Sequence, residues 1–249
     1  MALQYLKHSL PFHLSHRGLR LARSFSHVEN SKMPISVNEV KTVRATFGMG
    51  CFWAGDALFG ATPGVVTTAV GYAGGTKENP AYKNLGDHTE VIHIEYDPER
   101  INYSQLLDLF WNNHEYGLTA YVKRQYLSLI LYHNQEQKEL AEASRDHQQR
   151  LRNERFATEI SPFDKFYPAE DYHQKYRLQG HAYLVEALGL KSALELQTSP
   201  LAAKLNGFVA GAVSPSEFEE QVKSLELSDK ALQYVRKHVI DNQGSGLYC

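Results

Sequence analysis

Two cysteines, Cys51 and Cys249, are the residues through which this chain of 249 could do covalent chemistry. Cys51 lies in Gly48-Met49-Gly50-Cys51-Phe52-Trp53-Ala54-Gly55-Asp56-Ala57-Leu58-Phe59. A β-like run with branched Thr42, Val43 and Thr46 precedes that stretch, and Pro63 ends the helical pattern after it. Cys51 is therefore expected where a strand hands over to a helix, among converging unpaired N–H groups that favour a thiolate. A buried thiol used as a small hydrophobe is the alternative. Cys249 follows Gly244 and Gly246, which leave it free to swing. Two thiols, one of them terminal, suit a transient redox disulfide; a frayed end with an incidental Cys is the other reading.

The elements that must position these residues follow in order. Gly64–Gly71 reads as a buried strand, Tyr72–Tyr82 as a loop, and Glu90–Asp97 as a strand with one wet face carrying His93. Helices are predicted over Tyr103–Asn112 and Glu136–Arg155, with strands over Gln125–Tyr132 and Ala157–Ile160. Phe166–Gln174 is predicted to run from a loop into a helix that continues to Leu188. This alternation argues for an α/β two-layer sandwich with a mixed sheet. After about Thr198 come short helical pieces around a flexible Gly207–Gly211 link, then a helix capped by Ser228.

A net charge of -2 offers no field for nucleic acid, and no apolar run is long enough to cross a membrane. No His-x-x-x-His or Cys-x-x-Cys spacing implies a metal, and no glycine loop ends in the Lys-Ser/Thr that would cradle phosphate. No cofactor is expected, and the chain is expected to be a monomer. Residues 1–33 carry Lys7, Arg17, Arg20 and Arg23 with several serines and no acid before Glu29. That composition predicts a mitochondrial transit peptide and a matrix location, with Met33 as a second start for a cytosolic form.

Gly50-Cys51-Phe52-Trp53 resembles the signature of the peptide-methionine (S)-S-oxide reductases, the MsrA family. Val70–Gly75, Asn79-Pro80-Ala81-Tyr82, Gly86-Asp87-His88-Thr89-Glu90, Phe110–His114 and Ala169–Gln174 support it in family order. The resemblance implies a ferredoxin-like catalytic domain over 40–197 and a helical extension over 198–249. It makes Cys51 the nucleophile toward a methionine-S-sulfoxide sulfur and Glu90 the acid. Tyr82 and Tyr126 take the positions of phenols that hold the sulfoxide oxygen, and Phe52 and Trp53 those of a methyl clasp. Cys249 is then the resolving thiol for a sulfenic acid on Cys51, and thioredoxin the reductant of the disulfide. Oxidised proteins, and methionine sulfoxide itself, become the substrates. Composition alone would make Glu90 a strand charge, Tyr82 a loop residue, Tyr126 a strand residue, and Phe52 and Trp53 plain core.

Several positions depart from the family pattern. Ala54 stands for the usual Gly, Asp56 for the usual Glu, and the segment before Glu90 is shorter. Tyr121 falls where an Asp usually orients the polar groups, leaving Asp87 and Glu115 as candidate substitutes. Two other classes use similar parts: a thiol peroxidase with a resolving Cys, or a non-catalytic redox-sensing protein on the same fold.

Overall fold

The computed structural model describes residues 41–114, 123–245 and 247, and these belong to one compact unit. The leader over 1–33, Glu115, Tyr121 and Cys249 lie outside the described residues. Six strands form a mixed sheet: β1 (Val43–Met49), β2 (Val65–Ala73), β3 (Thr89–Tyr96), β4 (Ser128–Tyr132), β5 (Glu159–Pro162) and β6 (Tyr167–Pro168). Their order is β5-β4-β1-β3-β2-β6, with β4 and β5 parallel and the other neighbours antiparallel. The mixed-sheet sandwich expected from the sequence is present.

One face of the sheet carries Ala45, Phe47, Met49, Val70, Tyr72, Ile92, Ile94 and Ile130 into the main core. Helices α1 (Phe52–Ala61), α2 (Tyr103–Asn112) and α3 (Gln135–Arg152) cover it with Phe52, Phe59, Leu106, Phe110, Trp111 and Ala141. The opposite face is not the wet face expected. Phe163 and Phe166 pack there on Ala73, Val91, Leu129 and Leu131. His93 stacks on Phe166, with ring centroids 5.0 Å apart, and bonds Thr46 Oγ1 at 2.8 Å. Burial holds the imidazole of His93 down at about 4, which keeps it neutral and able to join an aromatic layer. The polar/apolar alternation of β3 was therefore real, but the segment after β5 folds over the polar side.

The helix expected to follow the Phe166 loop and continue to Leu188 is interrupted. Lys175 adopts φ 51°, breaking the run before α4 (Tyr176–Gln179), and α5 (Ala182–Ala187) follows separately. The break delivers the Lys175 ammonium into the interior, where its Nζ donates to Asp56 Oδ1 at 3.0 Å and Thr68 O at 2.6 Å. Asp56 is wholly buried and also accepts from the Thr68 hydroxyl, the Lys175 N–H and the Asn206 amide. Four donors make a buried carboxylate tolerable.

Asn206 belongs to α7 (Pro200–Val209), which follows α6 (Ala193–Thr198) and precedes α8 (Pro215–Val222) and α9 (Asp229–Asp241). Helix α7 lies directly on α1. A β-carbon at Gly207 would come within 2.3 Å of Ala57 O, and one at Gly60 within 2.4 Å of Ala203 O. Gly207 is thus a close-approach glycine inside a helix, not part of a flexible link, and Phe208 and Val209 beside it are buried. Only Gly211, at φ 73°, supplies the backbone freedom the glycine pair suggested. The extension buries its own cluster of Leu205, Phe208, Phe218, Val235 and Val239, which reaches Ala61 of α1 and Leu178 of α4.

Removing one half of the buried pair strands the other as an uncompensated charge. Asp56→Ala is expected to lower the unfolding free energy in urea by about 3–5 kcal/mol. Adding Lys175→Met is expected to recover part of that loss, and a double variant worse than Asp56→Ala alone would contradict the pairing.

Candidate active site

A sharp turn carries β1 into α1. Gly48 lies so close to Thr89 and Leu127 that a β-carbon would sit 2.9 Å from Thr89 Cγ2 and 3.0 Å from Leu127 O. Gly50 has φ +87°, a conformation other residues adopt at a cost. Cys51 follows as the N-cap of α1, with extended backbone angles and no hydrogen bond from its own side chain to the helix. A Ser, Thr or Asp at this position would satisfy one of the first N–H groups; a thiol does not. Instead the N–H of Phe52 donates to Glu90 Oε2 at 3.1 Å. The placement of Cys51 at the helix start thus follows the sequence expectation. The sulfur is not a free thiol here, being disulfide-bonded.

Glu90 comes from β3, opposite Tyr72 of β2 in register, and is 2% exposed. Its second oxygen accepts from Gln125 Nε2 at 2.6 Å. Burial pushes the Glu90 carboxyl up, and the bonds from Gln125 and Phe52 offset this only in part. Both protein donors are N–H groups, so neither competes for the acid proton. A carboxyl has about four lone-pair sites, and the two left over can carry a proton.

A cavity of about 320 Å³ is lined by Cys51, Phe52, Trp53, Tyr82, Glu90 and Tyr126. Cys51, Glu90, the two phenols and the aromatic pair named from the resemblance therefore meet in one hollow. Tyr126 arrives not on a strand but in a 3-10 turn, Arg124–Tyr126, just before β4. That tighter turn also brings in Gln125, whose side chain the sequence reading passed over. The Tyr126 hydroxyl is pushed up to about 12 by burial, the Glu90 charge and a hydrogen bond with Tyr82, so it stays a neutral donor.

The far wall is aromatic. Phe52 is buried, and Trp53 lies flat on Tyr176 with centroids 3.7 Å apart and planes at 4°. The indole N–H of Trp53 donates to His173 Nδ1 at 3.1 Å, which requires a neutral imidazole there. Burial lowers the His173 pKa in the same sense. His173 was not singled out in the sequence; its spacing in Tyr172-His173-Gln174 carried no periodic signal.

Of the candidate substitutes for the missing carboxylate, Asp87 is committed elsewhere. It accepts from the N–H and hydroxyl of Thr76 and the N–H of Lys77, bonds that hold its carboxyl down at about 2. It does not line the cavity. Among the described residues the side chain that bonds Glu90 is Gln125.

Residues 43–198 match the family described as peptide methionine sulfoxide reductase. The chain belongs to this family. A Drosophila melanogaster peptide methionine sulfoxide reductase is 51% identical over 233 residues, spanning 91% of this chain and 94% of its own. Methionine sulfoxide reductase A of Corynebacterium diphtheriae superposes with a TM-score of 0.51 at 30% identity, over 56% of this chain and 76% of that one. Reduced Mxr1 from Saccharomyces cerevisiae gives 0.53 at 26% identity, over 58% and 88%. The part of this chain beyond residue 198 lies outside the family match.

Gln125 favours the ionised form of Glu90, so its removal has a definite sign. In Gln125→Leu the Glu90 carboxyl is expected to titrate at higher pH than in the parent. Carbon-13 NMR of glutamate-labelled protein, with Glu90→Gln assigning the resonance, measures the shift; a downward move would contradict it.

Proposed function

We propose that the protein reduces the S epimer of methionine sulfoxide, in oxidised proteins and as the free amino acid, with Cys51 as nucleophile. The observation that carries this reading is the convergence of one sulfur, one buried carboxyl and two phenols on a single apolar-walled cavity. In the reduced enzyme the Cys51 thiolate attacks the sulfoxide sulfur while Glu90 delivers its proton to the oxygen. Tyr82 and Tyr126 donate hydrogen bonds to that oxygen as its charge grows. Phe52 and Trp53 hold the methyl group by contact. Collapse of the adduct transfers the oxygen to Cys51 as a sulfenic acid and frees methionine, so the thiol supplies both electrons.

The second half of the cycle needs another thiol, and Cys249 is the one other cysteine in the chain. Its attack on the sulfenic acid expels water and forms a disulfide, which the dithiol of thioredoxin reopens by exchange. Gly244 and Gly246, close before Cys249 in sequence, support this assignment. Loss of the Asp at position 121 bears on rate more than on the reaction, because Glu90 keeps two donors without it. The basic leader, with no acid before Glu29, supports delivery to the mitochondrial matrix, with a cytosolic form starting at Met33.

NMR of racemic methionine sulfoxide separates the steps. The S epimer alone should disappear, and Cys51→Ser should consume neither epimer. Cys249→Ser should turn over with dithiothreitol and stop after one equivalent with thioredoxin. Full thioredoxin-dependent turnover by Cys249→Ser would remove Cys249 from the cycle. For the location, fusion of residues 1–33 to a fluorescent reporter should direct it to mitochondria; a diffuse cytosolic signal would count against the leader.

A further inference from the structure

Tyr82 is the least secured of the groups around the cavity. It sits on a coil between β2 and β3, is 37% exposed, and its neighbours make only the single bridge between Ala81 and Asn84. Its backbone is held by the side chain of Glu170. The N–H of Tyr82 donates to Glu170 Oε1 at 2.9 Å, while Glu170 Oε2 accepts from the Tyr72 hydroxyl at 2.7 Å. Tyr72 is fully buried in β2 and pairs in register with Glu90. The Glu170 carboxylate therefore bridges the backbone of Tyr82 to the strand pair that carries Glu90. His173, three residues on, supports the ring of Tyr82 at 4.7 Å between centroids.

We propose that Glu170 is a positioning residue for sulfoxide reduction, fixing Tyr82 so that its hydroxyl meets the substrate oxygen; this rests on the role assigned to Tyr82 above. A carboxylate suits the task because it offers two acceptors in a rigid plane to two donors from different segments. Burial pushes Glu170 up, but the bonds from Tyr72 and from the Tyr82 N–H outweigh it and hold the group below its ordinary value. Its acceptors thus stay available through the neutral range.

Folding does not need this bridge. The segment bearing Glu170 is fastened separately by Gln174, which accepts from the N–H of Val70 and donates to Val70 O and Ala169 O. Removing the Glu170 side chain should leave the segment in place and release the Tyr82 N–H together with the Tyr72 hydroxyl; His173 Nε2 stands 3.9 Å from the Glu170 oxygen that accepts from Tyr72.

The test is the single-turnover rate of methionine release from methionine sulfoxide by reduced enzyme. Tyr82→Phe and Glu170→Ala should each slow it about tenfold, the order of one lost hydrogen bond. The double variant should be no slower than the slower single one, because both remove the same contact. Glu170→Gln should restore most of the rate. Its carbonyl can accept from the Tyr82 N–H, and its amide can donate to the Tyr72 hydroxyl, which then acts as acceptor. Thermal unfolding checks that each variant is folded. If Glu170→Ala does not fold, Glu170→Asp, too short to reach both donors, takes its place in the comparison. Losses that multiply in the double variant, or full activity of the Glu170 variant beside a slow Tyr82→Phe, would overturn the positioning role. Full activity of Tyr82→Phe would instead remove Tyr82 from the chemistry, and the proposal with it.

Discussion

The hydrogen bond from the Phe52 N–H to the buried carboxyl of Glu90 joins the start of α1 to the centre of the sheet. The first N–H of the helix has no carbonyl within the helix to reach, and a group from another element meets it. That group is a carboxyl, which is thereby brought beside the sulfur. The same contact sets its acidity. Burial disfavours the anion, whereas the helix-terminal N–H and the Gln125 amide favour it. Burial prevails without cancelling the others, so the carboxyl holds its proton to higher pH than an exposed glutamate does. An acid that must give up a proton in each cycle and regain it needs that balance.

For the bond to be useful, α1 must not drift, and its anchorage lies on the side away from the cavity. Asp56, one turn into the helix, is held by Lys175, Thr68 and Asn206. Ala57, Gly60 and Ala61 meet Ala203 and Gly207 with backbones in contact. Small residues allow the approach, and the buried charges fix its register, since a slide of α7 would part Asn206 from Asp56 and from the Leu178 N–H together. The residues after Thr198 are thus built into the support of the helix that presents Cys51. Exchange of Glu for the shorter Asp at position 56 is compatible with this packing, because Lys175 reaches inward from a left-handed turn.

How much of this was legible in the sequence depended on range. The strand before Cys51, the glycine turn and Pro63 are local signals, and they placed Cys51 at the helix start. Buried runs such as Gly64–Gly71 and the amphipathic Tyr103–Asn112 were equally plain. Asp56, Lys175 and Asn206 were not, since their meaning is their meeting, across 119 and 150 residues of chain. Glycines misled at Gly207, where composition cannot separate freedom from closeness. Gln125 and Tyr126 carried a strand-like pattern into β4, yet the Tyr126 N–H donates to Lys123 O and the Leu127 N–H to Arg124 O, closing a 3-10 turn. Family resemblance, not periodicity, assigned Glu90, Tyr82 and Tyr126, and only the fold brings them into one hollow with Cys51.

The cavity is divided by chemistry. Phe52 and the Trp53–Tyr176 stack offer an apolar surface, while Glu90, Tyr82 and Tyr126 offer groups able to donate a proton or a hydrogen bond. A methyl sulfoxide bears an apolar group and a strong acceptor on one sulfur, with the rest of the molecule as its third substituent. With the oxygen at the donors and the methyl against the rings, the main chain must leave in the remaining direction. Inverting the sulfur while keeping the chain in place would press the oxygen onto the indole and the methyl onto the carboxyl. That exchange leaves buried polar groups unpaired, the kind of mismatch that discriminates far more strongly than a difference in bulk. On the proposed reading, handedness follows from where the polar and apolar walls stand around Cys51, and it requires that a donor such as Tyr82 be held in place.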